Sequence, residues 1–378
     1  MQLVQPITAT HEGVVHDVAY DFYGKRMASC SSDHKIKIWD KDDKTGEWVC
    51  SAEWKAHQSP VWKVDWAHPE YGQLVASCSF DRTVVIWEDR GRRALNVRRS
   101  AGSNSNSHSS NKDNLGGVNS SNGSSTQFAL KVSLMDFKQA VNDIAFSPRH
   151  VGLQLAAATD DGFVNVYEFT DVTDMAQRRV TKFEASKVGA TAIAWSTARF
   201  FPPMLVVGAN DGAVTIWAYS ENFRQWQQVY NLSIDAHTSC VHDVAWAPDI
   251  GRTNHIIATC SKDRTLRIWN VPKEFSGSNT SKAFDGIAND AEIKSTEHNA
   301  NTASSTTNAE GSPTSKDIKA TQIMEDHQSE VWRVQWNVTG TSLGSSGDDG
   351  TVRIWKQNTS KVGNAPRWIL DGVIAGSK

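Results

Sequence analysis

The stretch Ser261-Lys-Asp-Arg-Thr-Leu-Arg-Ile-Trp269 decides the fold of this chain, because close copies of it recur along the sequence. Each copy ends in an aromatic residue and has an aspartate six residues before that aromatic. The six aspartate and aromatic pairs are Asp33 and Trp39, Asp81 and Trp87, Asp161 and Tyr167, Asp211 and Trp217, Asp263 and Trp269, and Asp349 and Trp355. Such self-similarity at a spacing of tens of residues is typical of a repeat architecture.

A second motif precedes each copy, with an aliphatic fourth residue and an aromatic sixth residue, as in Val241-His-Asp-Val-Ala-Trp246. Apolar residues two apart lie on one face of a strand. A strand of small residues such as Met27-Ala-Ser-Cys-Ser31 follows, then the aspartate turn and the strand that ends in the aromatic. A fourth strand comes next, for example Trp48 to Trp54. Each repeat therefore predicts four short antiparallel strands.

Four strands per repeat, with a tryptophan after an aspartate turn, resemble the WD-repeat signature of a β-propeller blade. We therefore predict an all-β chain, a single WD-repeat β-propeller domain over residues 1–378 with six four-stranded blades. The expected blades are residues 10–56, 57–136, 137–186, 187–236, 237–326 and 327–376.

Two long segments interrupt the regular spacing. Residues 100–126 are rich in Ser, Asn and Gly, and residues 273–316 are rich in Ser, Thr, Asn and Ala. Such compositions bury too little apolar surface to offset their conformational entropy, so both segments are predicted to be disordered. Both fall between the third and fourth strands of a blade, in blades 2 and 5. Both should therefore leave the propeller from the same face.

The composition excludes several classes of protein. The 378 residues carry a net charge of -3, which argues against direct binding of nucleic acid. No run of 18 apolar residues is present, so we expect no membrane span, and the N-terminus lacks a secretory signal pattern, which predicts an intracellular protein. The five cysteines are an odd number without a CxxC pair, and Cys30, Cys78 and Cys260 recur at one repeat position. They are interpreted as small buried apolar residues, and no metal or other cofactor is expected.

Four repeats also place a histidine, a hydroxyl residue, an aspartate and a tryptophan in register. The four sets are His11, Ser29, Asp33 and Trp39; His57, Ser77, Asp81 and Trp87; His237, Thr259, Asp263 and Trp269; and His327, Ser345, Asp349 and Trp355. The residue types are those of a Ser-His-Asp triad. A catalytic site is needed only once, however, so four copies at repeat spacing indicate structure, and no enzyme is expected.

The resemblance to WD repeats implies that each set is a buried hydrogen-bonded network that locks a blade turn. Blades 3 and 4 depart from this pattern. Phe137 and Ser186 stand where histidine is expected, and Val207 replaces the hydroxyl residue of blade 4. These two blades are therefore expected to be held by packing alone.

The number of predicted strands does not determine whether the ring is closed or open. An apolar segment, residues 2–8, stands where a fourth strand precedes a blade, and residues 367–375 supply a fourth strand for blade 6. In one alternative residues 2–8 close a six-bladed ring within blade 6, and 367–375 are peripheral. In the other the ring stays open, and a partner adds the three strands that a seventh blade lacks. The candidate partner-binding edges are Leu3, Val4, Ile7, Trp368, Ile369, Leu370 and Ile374.

Several longer stretches are more specific than a generic WD repeat. Examples are Trp66-Ala-His-Pro-Glu-Tyr-Gly72, Trp246-Ala-Pro-Asp-Ile-Gly-Arg252 and Val331-Trp-Arg-Val-Gln-Trp-Asn-Val-Thr-Gly-Thr341. On these residues the chain resembles the family of SEH-type nucleoporins, relatives of the small WD-repeat subunit of the endoplasmic-reticulum vesicle coat. The resemblance covers residues 10–90, 130–270 and 320–356, and it is loose in blades 3 and 4.

The resemblance implies an open propeller completed in trans by a blade from an α-solenoid scaffold nucleoporin, within the Y-shaped complex of the nuclear pore. The implied roles are nucleocytoplasmic transport, mRNA export and protein import. A second implied place is the vacuole- or lysosome-associated complex that regulates amino-acid signalling to the target-of-rapamycin kinase. Two alternatives stay open: the vesicle-coat subunit itself, and a closed propeller that binds peptides on the face without inserts.

Overall fold

The computed structural model describes residue 7 and residues 11–91, 128–273, 316–358 and 367–375. These residues form six separate sheets, and each contains four antiparallel strands in chain order from the centre of the molecule outwards. Two short 3-10 helices, Pro69–Tyr71 and Arg149–Val151, follow the inner strands of blades 2 and 3. The six four-stranded blades of a WD-repeat propeller are confirmed.

The strand bounds follow the repeats closely. The strands of blades 1 to 3 are β1 (Val15–Tyr20), β2 (Arg26–Ser31), β3 (Lys35–Lys41), β4 (Trp48–Lys55), β5 (Val61–Trp66), β6 (Leu74–Ser79), β7 (Val84–Asp89), β8 (Phe128–Leu134), β9 (Val141–Phe146), β10 (Gln154–Thr159), β11 (Phe163–Phe169) and β12 (Arg178–Glu184). Those of blades 4 to 6 are β13 (Ala190–Trp195), β14 (Met204–Ala209), β15 (Val214–Ser220), β16 (Gln225–Asn231), β17 (Val241–Trp246), β18 (Asn254–Ser261), β19 (Leu266–Pro272), β20 (Lys316–Asp317), β21 (Ala320–Met324), β22 (Val331–Trp336), β23 (Ser342–Gly347), β24 (Thr351–Asn358) and β25 (Arg367–Ala375).

The inner strands pack side by side around a central channel. Neighbouring inner strands meet at five junctions, in the order β1, β5, β9, β13, β17 and β22. Among the described residues, no comparable packing joins β22 back to β1. The ring is therefore open between blade 6 and blade 1, and we refer to this opening as the gap.

Strand β25 is the outer strand of blade 6. It pairs with β24 along its whole length, from Thr351 opposite Ala375 to Asn358 opposite Arg367. The alternative in which 367–375 are peripheral is therefore wrong, because β25 already occupies the outer edge of β24. The apolar segment 2–8 lies outside the described residues except for Ile7, which is half-buried and belongs to no strand.

The segments with biased composition lie at equivalent places. One falls between β7 and β8 and the other between β19 and β21, both connections from the third to the fourth strand of a blade. Their predicted disorder concerns residues that lie outside the described ones, apart from residue 273 and residue 316. On its return to blade 5 the chain adds β20 in parallel to β16, so that blade 4 gains a fifth strand.

The aspartate turn has the same backbone in all six blades. The residue after the aspartate has a positive φ, which glycine adopts without strain. Blades 3, 4 and 6 have glycine there, whereas blades 1, 2 and 5 have His34, Arg82 and Arg264 at φ of 68°, 66° and 70°. Because these side chains are not glycine, the surrounding hydrogen bonds of the turn must hold the backbone in this conformation.

Apolar side chains from facing blades form the core. The junction of blades 1 and 2 joins Cys30, Ile36 and Ile38 of one sheet to Val61 and Val64 of the other. These side chains are almost completely buried. The recurring cysteines are likewise buried thiols within such junctions, and burial raises the pKa of each one.

Candidate functional site

The network of blade 5 links four side chains from the turn to the interior. The His237 Nδ1–H donates to Asp263 Oδ2 at 2.9 Å, and His237 Nε2 accepts from the Thr259 hydroxyl at 2.8 Å. The Trp269 indole N–H donates to Thr259 Oγ1 at 3.0 Å. This direction of donation gives every group a partner, with the histidine neutral.

The other three sets have the same geometry. Histidine to aspartate distances are 2.9 Å in blade 1 and 3.0 Å in blades 2 and 6, between His11 and Asp33, His57 and Asp81, and His327 and Asp349. The hydroxyl groups accept from the tryptophans at 2.9, 3.1 and 2.9 Å, in the pairs Ser29 and Trp39, Ser77 and Trp87, and Ser345 and Trp355. In each set the hydroxyl residue is buried and lies between the histidine and the indole, so the arrangement supports a structural role.

Folding shifts the pKa of several aspartate and histidine side chains in these networks. Burial alone would raise the pKa of the Asp81 carboxyl, but the hydrogen bond from His57 lowers it to about 2. Burial lowers the pKa of His237, and the hydrogen bond with Asp263 only partly opposes that effect. The fold therefore favours an ionised Asp81 in blade 2 and a neutral His237 in blade 5.

Blades 3 and 4 lack the complete network, but the expectation of packing alone is wrong in both. In blade 4 the Trp217 indole N–H donates to Thr215 Oγ1 at 2.9 Å, so a hydroxyl two residues earlier on the same strand replaces the missing one. In blade 3 the Thr159 hydroxyl donates to the Phe163 carbonyl at 2.9 Å, and the Asn165 side-chain amide donates to the Tyr167 hydroxyl at 3.4 Å. In blade 3 the Phe137 ring packs edge-on against Tyr167, with the ring centroids 5.9 Å apart. The sequence motif missed Thr215 because it lies outside the expected position.

A second set of polar contacts joins the inner strands. Each inner strand has a bulge at its second residue. In five of the six blades the third residue lines the central channel. In blades 1, 3 and 5 this third residue is an aspartate. Its carboxylate accepts the amide of the fourth residue of the next blade, and the three pairs are Asp17 and Val64 at 3.3 Å, Asp143 and Ile193 at 2.8 Å, and Asp243 and Val334 at 3.0 Å.

The sixth residue of the inner strand makes another repeated contact between blades. Three indoles donate to a carbonyl of the preceding inner strand, and the pairs are Trp66 with Ala19 at 3.1 Å, Trp195 with Ala145 at 2.9 Å, and Trp336 with Ala245 at 3.1 Å. The aliphatic fourth residue packs beside each of them. Through these contacts, the fourth and sixth residues of each of these inner strands pack against the preceding blade.

Blade 1 offers the same surface to the gap, where it is exposed. Val18 is 43% exposed, whereas its counterpart Val64 is 1% exposed. Tyr20 is 57% exposed, whereas its counterpart Trp66 is 8% exposed. Val15 at the start of the strand is also exposed. These residues belong to the motif that the sequence reveals, but their exposure follows only from the open ring.

The outer strand of blade 1 adds an aromatic residue to this surface. Trp48 occupies the register position of Phe128 in blade 2, Trp226 in blade 4 and Trp368 in blade 6. Those three rings are buried between blades; Phe128, for example, stacks on Trp54 with centroids 5.0 Å apart. Trp48 is half-buried and contacts Tyr20, with centroids 5.6 Å apart.

The opposite wall of the gap is the free face of blade 6. It comprises Gly344, Ser346, Val352, Ile354 and Ile374, all half-buried except Val352, which is 40% exposed. The corresponding positions of blade 1 hold the buried residues Ala28, Cys30, Ile36, Ile38 and Trp54. Smaller side chains on blade 6 leave more room for a neighbouring surface.

The predicted edge residues separate into different environments. Leu3 and Val4 lie outside the described residues. Ile369 and Leu370 are exposed on β25, and Ile374 lies on the wall of the gap. Trp368 is buried against Trp336 in the junction of blades 5 and 6, with ring centroids 4.9 Å apart. Trp368 is therefore not available at the open edge, because its ring already fills a junction within the chain.

Two further features bear on function. Within the described ranges, no helix has the length and hydropathy that crossing a membrane requires. The same ranges contain no group of three or more His, Cys, Asp or Glu side chains arranged to hold a metal ion.

Four segments of the chain match a known family of sequence repeats. The family described as "WD domain, G-beta repeat" matches residues 3–40, 48–88, 226–270 and 318–356. Three of these matches begin at or near a fourth strand, namely β4, β16 and β21. The first match begins at residue 3, upstream of β1 and outside the described residues.

Curated relatives match the whole chain. Nucleoporin SEH1 from Bos taurus and from Homo sapiens are each 35% identical to it over 386 residues, covering 100% of this chain and 89% of the relative. Nucleoporin SEH1-A from Xenopus laevis is 35% identical over 385 residues, with the same coverage.

Proposed function

Since this chain belongs to the nucleoporin SEH1 family of WD-repeat β-propellers, we propose that it is a non-catalytic scaffold subunit of the nuclear pore whose open ring is completed by a partner. The partner is an α-solenoid scaffold nucleoporin of the Y-shaped complex, which donates three strands to the gap. Residues 2–8 of this chain supply the fourth strand of that seventh blade. The scaffold thereby supports nucleocytoplasmic transport, including mRNA export and protein import.

One observation carries the proposal. Val18, Tyr20 and Trp48 present to the gap the surface that other blades bury against their neighbours. Burying a side chain of this size stabilises an assembly by about 1.5–3 kcal/mol, so covering the whole face would hold a partner firmly. An apolar sheet face with this repeat geometry fits another blade better than it fits a small ligand.

Some of the predicted edge residues contribute to the proposed binding site. Ile374 contributes to the wall of the gap, and Leu3, Val4 and Ile7 belong to the segment that would pair with the donated strands. Ile369 and Leu370 lie on the outer strand of blade 6, beside that wall, where they would contact further subunits of the complex. The four networks are proposed to keep the blades rigid enough for such assembly.

The test is affinity purification of the tagged full-length chain, with mass spectrometry of the proteins that stay bound through a wash at high salt. Strand insertion buries backbone and apolar surface, which salt screens little, so an α-solenoid nucleoporin should remain bound. The variant Val18→Glu should lose that protein, because it places a charge on the buried face of the seventh blade. The matched control Val338→Glu changes a residue that is 89% exposed on a loop of blade 6 and should retain it.

Other outcomes would redirect the proposal. Recovery of the large vesicle-coat subunit in place of a nucleoporin would make the chain a coat subunit. A protein that elutes alone and monomeric, with Val18→Glu without effect, would contradict trans completion and favour a peptide-binding adaptor. We extend the proposal to the vacuole- or lysosome-associated signalling complex, which the same experiment on a vacuolar fraction would test.

A further inference from the structure

The fourth residue of each inner strand has a backbone amide that faces away from its own sheet. Five of these six amides donate to a carboxylate. Three use the aspartate of the preceding blade, as described above for Val64, Ile193 and Val334. The remaining two use the aspartate of their own strand: Ile144 donates to Asp143 Oδ1 at 2.8 Å and Val244 donates to Asp243 Oδ1 at 3.0 Å.

Val18 is the exception. Among the described residues no carboxylate accepts its amide, although Asp17 precedes it just as Asp243 precedes Val244. Asp17 Oδ1 faces Arg333, whose Nε lies 3.5 Å away, while Asp17 Oδ2 accepts the amide of Val64. The Val18 amide lies at the edge of β1 that borders the gap, so it is open to an acceptor from beyond the gap.

Blade 6 cannot supply that group. Its third residue is Arg333, where blades 1, 3 and 5 carry the aspartates that accept the next amide. The guanidinium cannot accept a hydrogen bond, and it crosses the gap to donate to the His16 carbonyl at 3.1 Å. Among the described residues, the gap is thus bordered at the channel by an amide of blade 1 without a carboxylate acceptor and by a largely buried cation of blade 6.

We propose that the inner strand of the completing blade carries an aspartate at its third position, which accepts the Val18 amide and pairs with Arg333. This inference rests on the proposed function, since it requires strands in the gap. Aspartate makes this contact at three of the five junctions between described blades, in every second blade from blade 1, and a completing blade that precedes blade 1 would be the next in that alternation. The partner is thereby identified by chemistry, as a three-stranded segment whose inner strand is acidic at the channel.

The experiment uses a strand donor taken from this chain. A second copy of residues 138–171, which contain β9 to β11 with Asp143 at the third position, is fused through a flexible linker ahead of the full-length chain. Three fusions are compared with the unfused chain: the unchanged copy, the copy with Asp143→Ala, and the copy with Asp143→Asn. The original Asp143 in blade 3 is unchanged in all of them, so the parent propeller folds equally in each case.

Two readouts separate docking from the carboxylate contact. Docking should raise the melting temperature and protect Trp48 from solvent. The contact is measured by hydrogen exchange at the Val18 amide, which should be slowed roughly 100-fold by the unchanged copy, as expected for a buried hydrogen-bonded amide. The Asp143→Ala copy should dock but lose most of that protection and melt about 2–4 °C lower than the unchanged copy. The Asp143→Asn copy, which can accept the amide but carries no charge, should retain the protection and melt between the other two.

A further variant tests the pairing with Arg333. In the Arg333→Met background the unchanged and Asp143→Asn copies should become nearly equal in melting temperature, because the charge has lost its partner. If all three copies dock with equal melting temperatures and equal protection of Val18, the aspartate inference is overturned while trans completion stands. If no copy raises the melting temperature or protects Trp48, the gap does not accept a blade and the proposed function itself fails.

Discussion

Arg333 of the last blade and Asp17 of the first blade form an ion pair across the gap, with Arg333 Nε 3.5 Å from Asp17 Oδ1. The side chains of both residues are largely buried in the channel. Burial would lower the pKa of Arg333, but Asp17 and the other channel aspartates raise it above its ordinary value, so the guanidinium stays charged. The two ends of the ring are therefore linked at the channel, although their sheets do not pack together.

Removing one partner of this pair should destabilise the protein. Arg333→Met leaves Asp17 as a buried carboxylate without its cation, which should cost about 3 kcal/mol of the free energy of unfolding. The double variant Arg333→Met with Asp17→Asn should recover part of the loss, because no uncompensated charge remains. Urea denaturation measures both values.

The control for this prediction is Arg179→Met, which removes an exposed arginine 3.9 Å from Glu168. That change should alter the free energy of unfolding by less than about 1 kcal/mol. Equal effects of the two arginine substitutions would show that the channel pair contributes no more than a surface pair.

The hydrogen-bonded network of blade 5 should be a major source of its stability. Asp263 accepts from His237, from the Thr238 amide at 3.1 Å and from the Thr265 amide at 2.9 Å. Asp263→Ala leaves these donors unpaired and should cost about 3 kcal/mol, lowering the melting temperature by several degrees.

The matched control is Asp211→Ala in blade 4, where the equivalent aspartate is exposed and accepts the Ala213 amide at 3.1 Å. Its effect on the melting temperature should be much smaller. Unchanged thermal unfolding of the Asp263→Ala protein would refute the structural role of the network.

The same networks predict that stability falls on acidification. Asp81 has a folded pKa of about 2, below its ordinary value of 3.8, so its contribution is present above about pH 4 and is lost as the pH falls towards 2. His237 has a folded pKa below its ordinary value of 6.5, so the folded state resists its protonation, and stability is lost as the pH falls below about 6.5. Both effects have the same sign.

Thermal unfolding between pH 7.5 and pH 3 measures this dependence. Asp81→Asn should be less stable than the wild type at pH 7 but should lose less stability between pH 5 and pH 3. A variant with the wild-type slope over that interval would contradict the assignment to Asp81.

The hydroxyl of Thr215 should replace the missing network of blade 4. Thr215→Val removes the acceptor of the Trp217 indole while keeping the shape of the side chain, and it should cost about 1–2 kcal/mol. Chemical denaturation measures the loss, with Thr253→Val at an exposed loop position as the control. A Thr215→Val protein as stable as the control variant would show that packing alone holds this blade.

Truncation should distinguish the N-terminal segment from the longer insert. Deletion of residues 1–9 should weaken partner binding more than deletion of residues 277–315, because residues 2–8 are the proposed fourth strand of the seventh blade and the first match to the WD repeat begins at residue 3. Binding of the purified partner to each deletion protein measures the difference. Equal affinities would refute the open ring as the binding site.

Much of the fold could be predicted because its information is local and repeated. The aspartate turns and the alternating inner strands specify each blade, and the resemblance to WD repeats implies the networks at the four histidines. The register of β25 on β24 could not be predicted in the same way, since residues 2–8 and 367–375 are both apolar segments of suitable length. Only the observed pairing of β25 with β24 distinguishes the two segments.

The candidate site was harder to predict than the fold. Val18 and Tyr20 have the same residue character as buried residues elsewhere, so nothing in their own sequence indicates exposure. Trp368 shows the converse, because an aromatic residue on the last strand proved to fill a junction with Trp336. The exposure of these side chains depends on whether a neighbouring blade covers them, and therefore on whether the ring is open or closed.

The central claim is that strands from another protein complete the ring. The most direct measurement is a cryo-electron-microscopy map of the native complex, purified through the tagged chain at high salt and refined around the gap. We expect three strands of a partner between β1 and blade 6, covering Tyr20 and Trp48. A ring in which β22 packs directly against β1, with no strand from another chain between them, would contradict it.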